Sequence, residues 1–118
     1  MIHHVQIACP RGTEDVLLSF YSGVLGLAQK PKPPALAGRG GCWFVGRGIE
    51  LHLGVEEPFA PARKAHPGLL WEGLDALAVS LAAAGHDVVW ANDELPGFRR
   101  FHTFDPHGNR LEFLEPTA

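Results

Sequence analysis

Asp105-Pro106-His107-Gly108-Asn109-Arg110-Leu111-Glu112-Phe113-Leu114-Glu115-Pro116 is the stretch whose reading decides the fold. It opens with Asp, Pro, Gly and Asn, residues that bend a chain through preset φ values or side-chain bonds to the backbone. It then alternates, so Leu111 and Phe113 share one face of a strand and Arg110, Glu112 and Leu114 the other. Shifted back by 62 residues, Gly108-Asn109-Arg110-Leu111-Glu112-Phe113 falls on Gly46-Arg47-Gly48-Ile49-Glu50-Leu51. Both are glycine turns feeding a strand that reads apolar, Glu, apolar. The same offset places His66 on His4, so each histidine stands 46 residues before its glutamate. Two matched pairs at one offset mark an internal repeat, which has to be recognised before a fold is assigned.

Working outward, each copy reads as strand, helix and three strands. In the first, Ile2 to Ala8 is a strand stopped by Cys9-Pro10. Thr13 and Glu14 open a helix carrying Val16, Leu17, Phe20, Tyr21 and Val24 at helical spacing, and Gly26 ends it. A short extended stretch is expected at Leu27 to Lys30. Lys30 to Gly41 holds Pro31, Pro33, Pro34, Gly38, Gly40 and Gly41, which predicts a surface loop without a regular helix. Cys42 to Val45 and Ile49 to Leu53 form a hairpin. Glu56 to Ala65 is a linker. The second copy places strands at His66 to Trp71, Val88 to Trp90, Arg99 to Phe104 and Arg110 to Glu115, with an alanine-rich helix from Leu74 to Ala84.

The totals narrow the function. The chain has 118 residues, 46% of them hydrophobic, enough for a packed core in one domain. A formal charge of -3 argues against nucleic-acid binding, which draws on excess Lys and Arg. Cys9 and Cys42 make neither a disulfide framework nor a cysteine zinc site, so a reduced, cytoplasmic protein is expected. No window of about 20 apolar residues predicts a membrane span, and the N-terminus does not read as a signal peptide.

Strand parity supplies the chemistry. Val5 and Ile7 oppose His4 and Gln6; Ile49, Leu51 and Leu53 oppose Glu50 and His52. If the apolar faces pack on the helices, the other face collects His4, Gln6, Glu50, His52, His66 and Glu112. Imidazoles and carboxylates gathered on a sheet face are costly unless paired or metal-bound. A mixed His/carboxylate set suits Zn, Ni, Mn or Fe(II) better than calcium. His3, on the opposite parity, reads as structural or exposed.

HHVQIA at the start, FYSGVLGL at the first helix end, IELHLG and DPHGNRLEFLEP together resemble the vicinal-oxygen-chelate superfamily, which includes glyoxalase I, bleomycin-binding proteins, fosfomycin-resistance proteins and extradiol dioxygenases. The resemblance covers nearly the whole chain. It implies an α+β fold of two βαβββ repeats, a curved mixed-sheet half-barrel with a metal cleft, in a single glyoxalase-like domain over 1–118 with units of about 1–57 and 64–118. It implies metal ligands at His4, Glu50, His66 and Glu112, with His52 an alternative to Glu50, and either Glu112 or Glu50 as the catalytic base. His52, His102, Arg63 and Arg100 are candidates for substrate contact; Arg99 and Lys64 could join the two arginines in holding an anionic group. The implied protein is a homodimer that binds a divalent metal ion and a small-molecule substrate, and that performs isomerase- or lyase-type chemistry. A metal-free drug- or metabolite-binding protein, a fosfomycin-type transferase and an extradiol dioxygenase using His4, His66 and Glu112 are the alternatives.

Overall fold

A computed structural model of the chain describes residues 1–117. It divides into two compact units, Met1–Pro61 and Ala62–Ala118. The division falls inside the Pro-containing linker expected from sequence.

In the first unit, β1 (Val5–Cys9) leads into α1 (Glu14–Leu17), followed by β2 (Ala28–Lys30), α2 (Pro34–Ala37), β3 (Cys42–Gly46) and β4 (Ile49–Val55). The second unit runs β5 (Gly68–Leu70), α3 (Leu74–Ala83), β6 (Val89–Trp90), β7 (Phe98–Phe104) and β8 (Arg110–Pro116). Each unit folds one four-stranded mixed sheet, ordered β1-β4-β3-β2 and β5-β8-β7-β6. In both, the first strand lies parallel to the last and the remaining neighbours are antiparallel. The repeat seen in the residues is therefore a repeat of topology, and the α+β fold of two βαβββ units stands.

The apolar parity packs as expected. Leu17, Phe20, Tyr21, Phe44, Leu51 and Leu53 are buried in the first unit, and Leu74, Leu77, Leu81, Phe101, Leu111 and Phe113 in the second. Each such side chain contributes about 1.5–3 kcal/mol on leaving water. The turn that feeds β8 is built by Asp105. Its carboxylate accepts bonds from the backbone N–H of His107 and of Asn109, each 2.9 Å, and from the Asn109 amide, also 2.9 Å. That is why Asp, Gly and Asn stand at this spacing, and it anchors the strand carrying Glu112.

Three expectations change. The first helix is α-helical only to Leu17 and continues as a π-helix over Leu18–Val24, where Leu25 N–H reaches Phe20 O at 2.9 Å. The Lys30–Gly41 loop holds one helical turn, α2; Pro34, at its first position, has no N–H to lose there. The strand expected at His66 to Trp71 is cut to Gly68–Leu70, because Pro67 cannot donate to the ladder and its carbonyl instead accepts Glu112 N–H at 3.1 Å.

Candidate metal centre

In the second unit three donor-bearing side chains converge. His66 Nε2 lies 2.8 Å from Glu112 Oε1, and His102 Nε2 lies 3.4 Å from the same oxygen. His102 and Glu112 sit opposite each other on β7 and β8, while His66 enters from the segment before β5. The protonation of His66 can be read from its other nitrogen: Nδ1 is 2.7 Å from the Lys64 carbonyl, which only accepts, so Nδ1 carries the proton. Nε2, left without that proton, faces a carboxylate oxygen that only accepts. Two acceptors at 2.8 Å call for a cation between them, either a second proton on the ring or a metal ion. The outer oxygen of Glu112 is held by Arg100 at 2.9 Å, and Arg100 also binds Glu94 at 2.8 Å. Burial pushes the Glu112 carboxyl up, but the bonds to His66 and Arg100 outweigh it and keep it below its ordinary value, hence ionised. Burial, with Arg110 nearby, pushes His102 down, which favours the neutral ring a metal needs. A histidine fixed by a backbone carbonyl and a carboxylate fixed by an arginine are the outer supports that orient metal ligands. The donor set fits a divalent ion of the Zn, Ni, Mn or Fe(II) kind.

The first unit carries a second group, His3, His4 and Glu50. His3 and His4 meet through their Nδ1 atoms at 2.9 Å. Parity had set His3 apart, but β1 begins only at Val5, so alternation does not govern the residues before it. Glu50 is already engaged: Lys30 Nζ lies 3.0 and 3.2 Å from its two oxygens, and His52 Nε2 lies 2.8 Å from Oε2. The bonds from His52 and Lys30 hold its carboxyl at about 2. His52 is buried, and its ring is stacked between His4 (centroids 4.0 Å apart) and Trp43 (3.9 Å). Burial pushes its pKa down, so the ring is neutral at pH 7 and donates Nε2–H to Glu50, leaving the lone pair on Nδ1.

The two ladders are out of step. Gln6, two residues after His4, pairs with His52, whereas Gly68, two residues after His66, pairs with Glu112. Aligned on their histidines, the units thus place His52, not Glu50, at the position of Glu112. The sequence offset matched the glutamates, but the register between the strands differs by two residues.

Of the remaining candidates, Arg100 is committed to Glu112 and Glu94, with its Nε buried and unpartnered. Arg63 is exposed and makes no ion pair among the described residues. Arg99 forms a two-bond pair with Asp75 at 2.7 and 3.0 Å. Lys64 supplies only its carbonyl, to His66. Lys30 was not singled out from sequence. Its signal was its place beside β3, since Lys30 pairs with Trp43 and Trp43 with His52.

Neither a family model nor a curated protein matches the chain. Among solved structures, it is 40% identical to a glyoxalase family protein from Bacillus anthracis, with a TM-score of 0.94, over 99% of this chain and 95% of that one. A glyoxalase/dioxygenase from Nostoc punctiforme matches with 17% identity and a TM-score of 0.77, over 100% and 92%. A fosfomycin resistance protein from Listeria monocytogenes matches with 10% identity and a TM-score of 0.76, over 100% and 94%. The last two, at 17% and 10%, speak to the fold alone.

Proposed function

The chain belongs to the glyoxalase family of the vicinal-oxygen-chelate superfamily, and from that premise we propose that it is a metal-dependent enzyme performing isomerase- or lyase-type chemistry on a small substrate with two neighbouring oxygens. The observation that carries this is the convergence of His66, His102 and Glu112: His66 is anchored through Nδ1 to the Lys64 carbonyl, and both imidazole Nε2 atoms face Glu112 Oε1, at 2.8 and 3.4 Å. The proposed ligands are His4, Glu50, His66 and Glu112, with His52 in place of Glu50 if the ladder rather than the spacing decides. A bound divalent ion would supply a Lewis acid that polarises the substrate oxygens and acidifies the adjoining carbon.

The residues divide the remaining work. Arg100, with His66, keeps Glu112 ionised. Glu50 is the proposed proton mover. While Lys30 and His52 hold it near 2 it is a poor base, so a substrate must loosen those bonds before the carboxylate can take a proton from carbon. His52, hydrogen-bonded to Glu50 and clamped between two rings, is placed to keep that carboxylate oriented. The proposed assembly is a homodimer.

Glu50→Gln keeps shape but removes the base, so kcat should fall about 10²–10⁴-fold with much less change in KM. The assay is metal-loaded protein with α-ketoaldehydes, with and without thiols, and vicinal diols in deuterated solvent. Protein-dependent deuterium at carbon supports the enzyme, and tight binding without exchange or product overturns it in favour of a sequestering protein. One observation favours that second reading: Lys30 and His52 satisfy Glu50 without any ion.

A further inference from the structure

The Pro/Gly loop between β2 and β3 plays no part in the proposed chemistry, yet it is firmly built. Gly41 has φ +78, and a Cβ there would overlap the Leu53 carbonyl oxygen. A Cβ on Gly40, φ +78, would come 3.0 Å from the Val55 side chain. Lys32 Nζ donates to the Gly40 carbonyl and ties the loop across itself. Between this loop and the sheet lies a cavity of about 220 Å³, lined by Gln6, Lys32, Arg39, Trp43, Gly54 and Val55 among others. Gly54 leaves room for Gln6: a Cβ there would meet the Gln6 amide nitrogen at 2.8 Å. No carboxylate lines the cavity. The nearby Glu14 carboxylate approaches Gly40 only to 4.0 Å from where a Cβ would stand. The Arg39 guanidinium makes no hydrogen bond or ion pair among the described residues.

The cavity adjoins the candidate site on the same sheet face. Gln6 and Trp43 are the two ladder partners of His52, and Gly54 is the next residue of β4 on that face. From Glu50 to Gly54 along β4 is roughly 13 Å at about 3.3 Å per residue.

We infer that this cavity binds the anionic end, a carboxylate or a phosphate, of the substrate whose oxygens react at the His/Glu face. The inference rests on the proposed function for the reacting end alone. Lys32 and Arg39 supply the positive charge and the Gln6 amide a neutral donor, a combination that selects an anion over a neutral group of the same shape. The substrate class is then a small acid whose charged end lies roughly 13 Å from its reacting oxygens, a span of about four strand residues.

The test uses the full chain stripped of metal, so metal loading cannot decide it. Benzoate, phenyl phosphate and benzyl alcohol are titrated calorimetrically into wild type, Arg39→Gln and Arg39→Lys. Arg39 is exposed and unpaired, so its replacement spares the fold, which circular dichroism verifies. At least one anion should bind and the alcohol should not; Arg39→Gln should weaken binding about tenfold or more, and Arg39→Lys should restore part of it. Binding of benzoate alone assigns a carboxylate, and binding of phenyl phosphate alone a phosphate. No anion binding, equal binding of the alcohol, or undiminished binding by Arg39→Gln overturns the inference. Zinc binding by the wild type, measured in parallel, reports separately on the proposed metal function.

Discussion

Gly41 is a position where one methyl group should decide whether a whole loop forms. Its φ of +78 already disfavours any other residue by about 1–2 kcal/mol, and its missing Cβ makes room for the Leu53 carbonyl, which belongs to a paired strand and cannot yield. Gly12 shares the φ of +78 but has open space around it. Gly12→Ala should therefore cost about 1–2 kcal/mol, the backbone term alone, and Gly41→Ala more than about 3 kcal/mol. Urea denaturation midpoints of the two variants check this, and equal losses would contradict the close packing of loop on strand. The same scale shows what spacing could and could not reveal about the site. His4, Glu50, His66 and Glu112 were legible because a repeat offset is a property of the chain alone. The bonds from Lys30 to Glu50 and from Arg100 to Glu112 were not, since parity assigns a residue to a face but not to a neighbour.

Strand register is the element-scale quantity that sequence left open. The order of strands and the hydrophobic face of each were readable from alternation, as Leu51 and Phe113 show by being fully buried. The two-residue difference between the Gln6–His52 and Gly68–Glu112 pairings was hidden, because a slip of two preserves every face. The π-helical Leu18–Val24 was hidden for another reason: its apolar residues satisfy a helical spacing either way. Between elements, Arg99 on β7 is bound to Asp75 in the first turn of α3. The bond from Arg99 lowers the Asp75 carboxyl and raises the guanidinium. A carboxyl lowered in the folded state stabilises above its unfolded value, about 3.9, and that contribution is lost as pH falls below it. Asp75→Asn should thus be slightly less stable than wild type at pH 7, as befits an exposed pair, and the gap should be smaller at pH 3. Urea midpoints at the two pH values test the sign; a gap that widened in acid would contradict it.

For the molecule as a whole, the duplicated order of strand, helix and three strands was the most legible feature, since both copies had to satisfy the same packing. Assembly was not legible in that way, and the homodimer is a proposal drawn from the resemblance alone. Sedimentation at micromolar concentration should show a species of twice the 12.8 kDa chain mass, and a monomer alone would contradict the homodimer. The metal reading reaches the whole molecule through linkage. An ion that binds the folded chain and not the unfolded one stabilises it by about 2.7 kcal/mol when its free concentration is one hundred times Kd. For a chain of 118 residues that corresponds to a rise in Tm of roughly 10 °C. Thermal scans of chelator-treated protein, with Zn, Ni, Mn and Fe(II) added in turn, should reveal the rise with at least one ion. His66→Ala removes a side chain that is only partly buried, so the metal-free fold should survive while the rise disappears. Arg39→Gln, which removes none of the donors, should keep it. A wild type unmoved by all four ions, or a His66→Ala protein stabilised as much as wild type, would mean that the proton on His66, and not a metal, is the cation that Glu112 faces.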